Sequence, residues 1–196
     1  MRIIAIEREF GSGGREIGLK VANKAEIPFY DGELMVKAAN DFHISLDLLK
    51  EFDEKKTGSI LYDLATLLDY NQSGVQKIHE LFYGMQETIK KLALQGSAIF
   101  IGRCSTDILK YNDEVIRVFI YSSDLDKRIQ RVVETEGMSN HEAEKLIEKK
   151  DKQRKDYYKF WTKKDWSDMK NYDIELNTGK LSIEDCVDVL FNILNK

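Results

Sequence analysis

Four of the chain's twelve glycines fall within eight positions: Gly11, Gly13, Gly14 and Gly18. They lie in Glu9-Phe10-Gly11-Ser12-Gly13-Gly14-Arg15-Glu16-Ile17-Gly18, between a short apolar run and an amphipathic stretch. Glycine lets successive backbone N–H groups turn into one concavity, and a helix start adds partial positive charge, so this segment is suited to cradling a phosphate. Arg15 adds a full charge with fork-like donors. Gly11, Ser12, Gly13, Gly14 and Arg15 are therefore the candidate phosphate cradle, a tight strand-to-helix turn without a ligand being the plainer alternative. The loop departs from G-x-x-x-x-G-K-[ST], since Arg15 stands at the lysine position and Glu16 at the hydroxyl position that would hold magnesium. Glu16 reads either as a direct magnesium ligand or as a first-turn glutamate favoured by the helix dipole. A G-x-G-x-x-G dinucleotide loop is the competing pattern. Gly11 and Gly13 match it, and Asp31 falls where a ribose partner would sit, but position 16 is Glu.

The elements that must position these residues follow from periodicity. Arg2 to Ile6 is a buried strand, and Arg15 to Ala25 has helical spacing. Ile27 to Tyr30 reads as a second strand, closed by the Asp31-Gly32 turn. Helical patterns run from Glu33 to Asp53, from Ile60 to Tyr70 and from 75 to 95. Ala98 to Ile101 and Val115 to Tyr121 are further strands, and Ile174 with Leu176 marks a fifth. Ser123, Ser139 and Ser182 are placed to cap the helices that follow them, Ser139 with capping-box spacing to Glu142. Short apolar strands alternating with helices predict a parallel sheet covered on both faces, with ligands at the carboxyl ends of the strands. The segments 7–16, 31–33, 102–107 and 177–179 lie there.

The 196 residues suit a single domain, and no apolar run reaches the roughly 18 residues of a membrane span. The opening MRIIAIEREF reads as a strand rather than a secretory signal. Two cysteines, Cys104 and Cys186, provide neither a disulfide framework nor a zinc pattern, so a reducing, cytoplasmic setting is expected. A net charge of −4 argues against a nucleic-acid binder, and no membrane partner is expected. Residues 144–165 nevertheless carry nine Lys/Arg against five Asp/Glu, which reads as a solvated helix face or as one wall of an anion site. Tyr157, Tyr158, Phe160 and Trp161 in that stretch read as core packing rather than base stacking. His43, His79 and His141 are too dispersed for a triad or a metal cluster.

The order of motifs resembles the cytidylate kinase-like family of P-loop nucleoside monophosphate kinases. It runs REFGSGGREIG at 8–18, PFYDGEL at 28–34, FIGRC at 100–104, EKKDKQRKDYYKFWT at 148–162 and YDIELNTGKLSIEDC at 172–186. The resemblance covers nearly the whole chain. It implies a three-layer α/β fold of the P-loop NTP hydrolase-like kind, with a five-stranded parallel sheet in the order 2-3-1-4-5. It also implies a helical acceptor-binding insertion at about 33–75 and a lid at about 137–165. It implies ATP and Mg2+ as cofactors, a small-molecule nucleotide substrate, and transfer of a γ-phosphoryl group to a nucleotide monophosphate or similar acceptor. Arg15, Arg103 and Arg154 would act in catalysis. The glycine loop, Glu16, Arg128 and Arg131 would hold the donor, with Glu16 the metal candidate. Asp31, Arg103, Asp151 and Arg154 would meet the acceptor. Ile101 and Cys104 stand where cytidylate kinases usually carry Asp. These departures leave a nucleotide-binding sensor or scaffold without efficient turnover as the alternative.

Overall fold

A computed structural model of the chain describes residues 2–32 and 72–195. Its sheet has five parallel strands in the order β2-β3-β1-β4-β5, as the motif order implies. The strands are β1 (Ile3–Arg8), β2 (Phe29–Tyr30), β3 (Ala98–Ile101), β4 (Val115–Tyr121) and β5 (Ile174–Asn177). The helices are α1 (Gly14–Ala25), α2 (Gln72–Ala93), α3 (Ser105–Ile108), α4 (Leu125–Glu136), α5 (Asn140–Thr162) and α6 (Ile183–Leu194). The helical patterns expected between 33 and 71 lie outside the described residues.

The central strand explains the opening apolar run. Ile3, Ile4, Ala5 and Ile6 are all fully buried, because β1 is flanked by β3 and β4 and covered on both faces. Ile4 and Ile6 pack with Ile17 and Val21 of α1 and with Val187 and Leu190 of α6. Ile3 and Ala5 face the opposite layer, where Phe82, Met85, Ile89 and Leu92 of α2 meet Phe100 of β3. The sheet is thus the middle of three layers.

Three boundaries differ from the expectation. β1 continues through Glu7 and Arg8, which pair with Phe119 and Ile120 of β4. Its apolar signal stops at Ile6, but its backbone pairing does not. β2 is shorter than expected because the Ile27 amide donates to the Ala22 carbonyl at 3.0 Å and closes α1 instead. Helix α4 is capped by Asp124, whose Oδ1 accepts from the Lys127 amide at 3.1 Å. Ser123 lies one residue outside that cap, and its hydroxyl accepts instead from Asn177 Nδ2 at 2.9 Å. Ser139 and Ser182 do form capping boxes, with Glu142 and Asp185.

Ile99 of β3 is fully buried and lies between β1 and β2 in the sheet. Replacing it with Ala removes three heavy atoms from a close-packed layer. Ile99→Ala is expected to cost about 2–5 kcal/mol, measured as a fall in the urea midpoint at unchanged slope.

Candidate functional site

The glycine loop leaves β1 and enters α1 by two left-handed residues, Gly11 with φ +77° and Gly13 with φ +81°. Close approach is the second requirement for glycine. A Cβ on Gly13 would lie 2.5 Å from Ile183 Cδ1 and 3.3 Å from Arg131 Cζ. One on Gly14 would lie 2.6 Å from Arg8 Cβ. Helix α1 then opens on Gly13, and among the described residues no side chain caps its first turn, which suits those amides to a ligand or solvent. Ser12 holds the loop rather than facing outward. It is almost fully buried, and its hydroxyl donates toward the carbonyls of Glu9 at 2.9 Å and Ile120 at 3.1 Å.

A cleft of about 430 Å3 runs along this loop and brings Gly11, Gly13, Gly14, Arg15 and Glu16 together with Arg8, Arg131 and Arg154. A second cleft of about 550 Å3 opens between α4 and the segment after β5, with Arg128, Arg131, Thr178 and Ser182 in its wall. The two share Gly11 and Arg131.

Carboxylates take up several of the arginines named from sequence. Arg15 turns to Asp31, Nη2 to Oδ2 at 2.7 Å, and keeps 61% of its side chain exposed. Arg131 Nη1 donates to Glu16 Oε2 at 2.6 Å, and Lys20 Nζ lies 3.1 Å from the other Glu16 oxygen. Burial pushes the Glu16 carboxyl up, but the hydrogen bonds from Lys20 and Arg131 outweigh it and hold the group below its ordinary range. With both oxygens held by cations, Glu16 does not fit a magnesium ligand in this arrangement. Among the described residues no three His, Cys, Asp or Glu side chains gather as a metal cage.

Arg128 is buried behind the loop and is a structural tie. Its Nε donates to the Phe10 carbonyl at 2.9 Å, its Nη1 lies 3.2 Å from Glu9, and its Nη2 pairs with Asp151. Asp151 also accepts from the Phe10 amide at 2.7 Å, so the loop, α4 and α5 are clamped at one point. Burial raises the Glu9 carboxyl despite the Ser122 amide and Arg128 beside it. One turn along α5, Arg154 donates to the Arg8 carbonyl at 2.9 Å and stacks over Phe10 at 5.4 Å. Burial lowers its pKa to about 9, and the neighbouring Arg8 charge adds to that effect.

Arg103 leaves β3 in an unusual turn. Gly102, Arg103 and Cys104 are three consecutive residues with φ of +70°, +57° and +57°. Two of the three are not glycine, so this backbone stores strain. It places the Arg103 guanidinium against Gly32, whose added Cβ would lie 3.0 Å from Nη2. Arg103 therefore stands beside Asp31, at the carboxyl edges of β3 and β2.

Sequence reasoning missed Glu7, Arg8, Glu9 and Trp166. Glu7 is 4% exposed; its Oε2 accepts from the Trp166 indole at 3.2 Å, and its Oε1 has no partner. Burial pushes its carboxyl up, against the Arg8 charge and the Cys104 amide. Cys104 packs with Phe119, Tyr158, Trp166 and Tyr172, and burial raises its thiol well above the ordinary value, so it is a packed cysteine rather than a reactive one. Tyr158 is likewise core, and Trp161 stacks on Phe82 at 3.8 Å. The signal for the first three missed residues was three charged residues directly after a buried apolar run.

A parallel sheet in this order, with a glycine loop joining its first strand to its first helix, defines a P-loop kinase-like fold. The chain belongs to the cytidylate kinase-like family, whose model matches residues 3–180. A crystal structure of an uncharacterized protein from Eubacterium ventriosum superposes with a TM-score of 0.76 at 29% identity, covering 100% of this chain and 99% of that one. Shikimate kinase from Bacteroides thetaiotaomicron gives 0.54 at 18% identity, with 100% and 99% covered. Shikimate kinase from Acinetobacter baumannii, in complex with shikimate, gives 0.52 at 11%, with 100% and 93% covered. These two share the fold. No curated protein matches the chain. Among the described residues no helix is long and apolar enough to cross a membrane.

Two outcomes follow from the charges. Arg128→Met strands the Glu9 and Asp151 carboxylates, and a cost of about 3–5 kcal/mol is expected in urea unfolding. Glu7 has a folded pKa above its ordinary 4.5, so the native state binds the extra proton and loses stability as pH rises past that value. Glu7→Gln is therefore expected to gain stability relative to the parent as pH rises above 4.5, read from urea midpoints at a series of pH values.

Proposed function

We propose that the protein is an ATP-dependent phosphotransferase that moves a γ-phosphoryl group to a nucleotide monophosphate or a similar small acceptor. One observation carries this reading. An uncapped glycine loop lines a single cleft with Arg8, Arg131 and Arg154, and Arg103 and Asp31 stand at the neighbouring strand edge. Phosphoryl transfer needs position and charge neutralisation more than it needs a covalent nucleophile. Two phosphate-bearing substrates repel each other, and a cleft rich in guanidinium groups offsets that repulsion.

In this reading the loop amides and Arg131 hold the donor phosphates. Arg103, beside Asp31, receives the acceptor phosphate. Asp151 and Arg154 act from α5, the long helix of the 137–165 lid, and set the loop's position from behind. The chemistry asked of these residues is to orient two anions and exclude water. Magnesium would accompany ATP from solution, and Glu16 is not assigned to it.

A second reading, a nucleotide sensor without efficient turnover, draws on the carboxylates that occupy Arg15 and Arg131. Nucleotide would then displace Asp31 and Glu16, and binding itself would be the signal.

A coupled assay with magnesium-ATP and a panel of nucleoside monophosphates separates the two. Product above the enzyme-free control supports transfer, and tight ATP binding with no product supports the sensor. On the transfer reading, Arg103→Ala is expected to raise the acceptor KM by about tenfold or more while the ATP dissociation constant moves by less than about threefold. The opposite pattern would assign Arg103 to the donor.

A further inference from the structure

Arg8 ends the central strand, and among the described residues its guanidinium makes no hydrogen bond and no ion pair within reach. Its Nε is closed off from solvent and has no partner. A half-buried guanidinium with its Nε shut off from water and unpaired is costly, and one that lines a cleft is placed to receive an anion. The carboxylates that could have served are engaged elsewhere. Asp31 holds Arg15 and Asp151 holds Arg128, while Glu7, whose charge acts on Arg8, spends its Oε2 on Trp166 and makes no hydrogen bond to the guanidinium.

The place of Arg8 is the second observation. Its Cβ packs on Gly14 of the phosphate loop, and its Nη1 fills the space where Gly102 lacks a side chain. Its carbonyl accepts from Arg154. The side chain therefore reaches from the donor loop to the strand edge where Arg103 begins, and it lines the same cleft as Gly11, Gly13 and Gly14. Arg15 lines the same cleft, but its guanidinium is already paired with Asp31 and lies over Phe29.

We propose that Arg8, rather than Arg15, supplies the charge that meets the terminal phosphate of the donor, in place of the lysine absent from the loop. This rests on the phosphotransferase reading above and names the residue that contacts the group in transit. In the transfer, an acceptor phosphate oxygen gives an electron pair to the terminal phosphorus. The bond from that phosphorus to the bridging oxygen breaks, and its pair stays on the nucleoside diphosphate. Arg8 neutralises the oxygens of the moving group and neither gives nor takes a proton.

The test is calorimetric titration of ADP and of ATP, each with magnesium, into the full chain and into Arg8→Met and Arg8→Lys, with thermal melts of the nucleotide-free proteins. ADP lacks the group that Arg8 would touch. Arg8→Met is expected to weaken ATP by about tenfold or more while ADP changes by less than about threefold. Arg8→Lys keeps a charge and is expected to stay within about threefold of the parent for ATP. The nucleotide-free Arg8→Met protein should melt no lower than the parent, since a half-buried charge with an unpaired Nε has gone. Equal loss of both nucleotides, unchanged ATP affinity or a lowered melting point in Arg8→Met would each overturn the proposal and leave the phosphotransferase reading intact. A parent protein that binds neither nucleotide would instead remove that reading, and the Arg8 assignment with it.

Discussion

Mutual repulsion among guanidinium groups is the constraint around which this site is organised. Arg8 sits at the centre of it, at the carboxyl edge of the first strand: the charges of Arg103 and Arg15 act on Arg8, and that of Arg8 acts on Arg154. The protein offsets this crowding unevenly. Asp31 takes Arg15, Glu16 takes Arg131, and Glu9 and Asp151 share Arg128. Arg8 receives no such partner. The pattern is one of selective neutralisation, which leaves the residual field where the loop and the strand edge converge. Full neutralisation would have favoured stability and left nothing to attract an anion.

Helix α5 is the mechanical counterpart of that field. Its Ser139 capping box fixes one end, and Asp151 and Arg154 fasten its middle to the backbone of Phe10 and Arg8. Further along, Tyr158 is in the core and Trp161 stacks on Phe82 of α2. The chain then turns back, and Trp166 donates to Glu7 of the central strand. A helix whose sequence is mostly charged is thus held by a few residues on one face, and most of its other charges, Lys150 excepted, are exposed.

Much of this arrangement was legible in the residues. The apolar runs, broken only by Arg117 in β4, located β1, β3 and β4, because strands covered on both faces need no alternation. The glycine cluster located the loop, because left-handed and crowded positions exclude a Cβ. Charged partners were harder to see. Nothing in the spacing of Arg15 and Asp31, or of Arg131 and Glu16, says that they pair, since those contacts depend on how separate elements dock. Glu7 and Arg8 were read as the start of a loop because their side chains are charged, whereas the backbone goes on pairing with Phe119 and Ile120. Asp124 displaced Ser123 as a cap for a similar reason: Asn177, which claims the serine, lies on another strand. Local chemistry was readable, and the chemistry that passes between elements was not.

The chain has two tryptophans, and both follow the last of α5's contacts with the loop. One indole is sandwiched with a phenylalanine, and the other is hydrogen-bonded to a buried acid in the central strand. Ultraviolet emission excited at the indole band therefore comes wholly from the base of that long helix. The molecule carries its own optical gauge, sited where a shift of the helix relative to the sheet would alter the dielectric around each fluorophore.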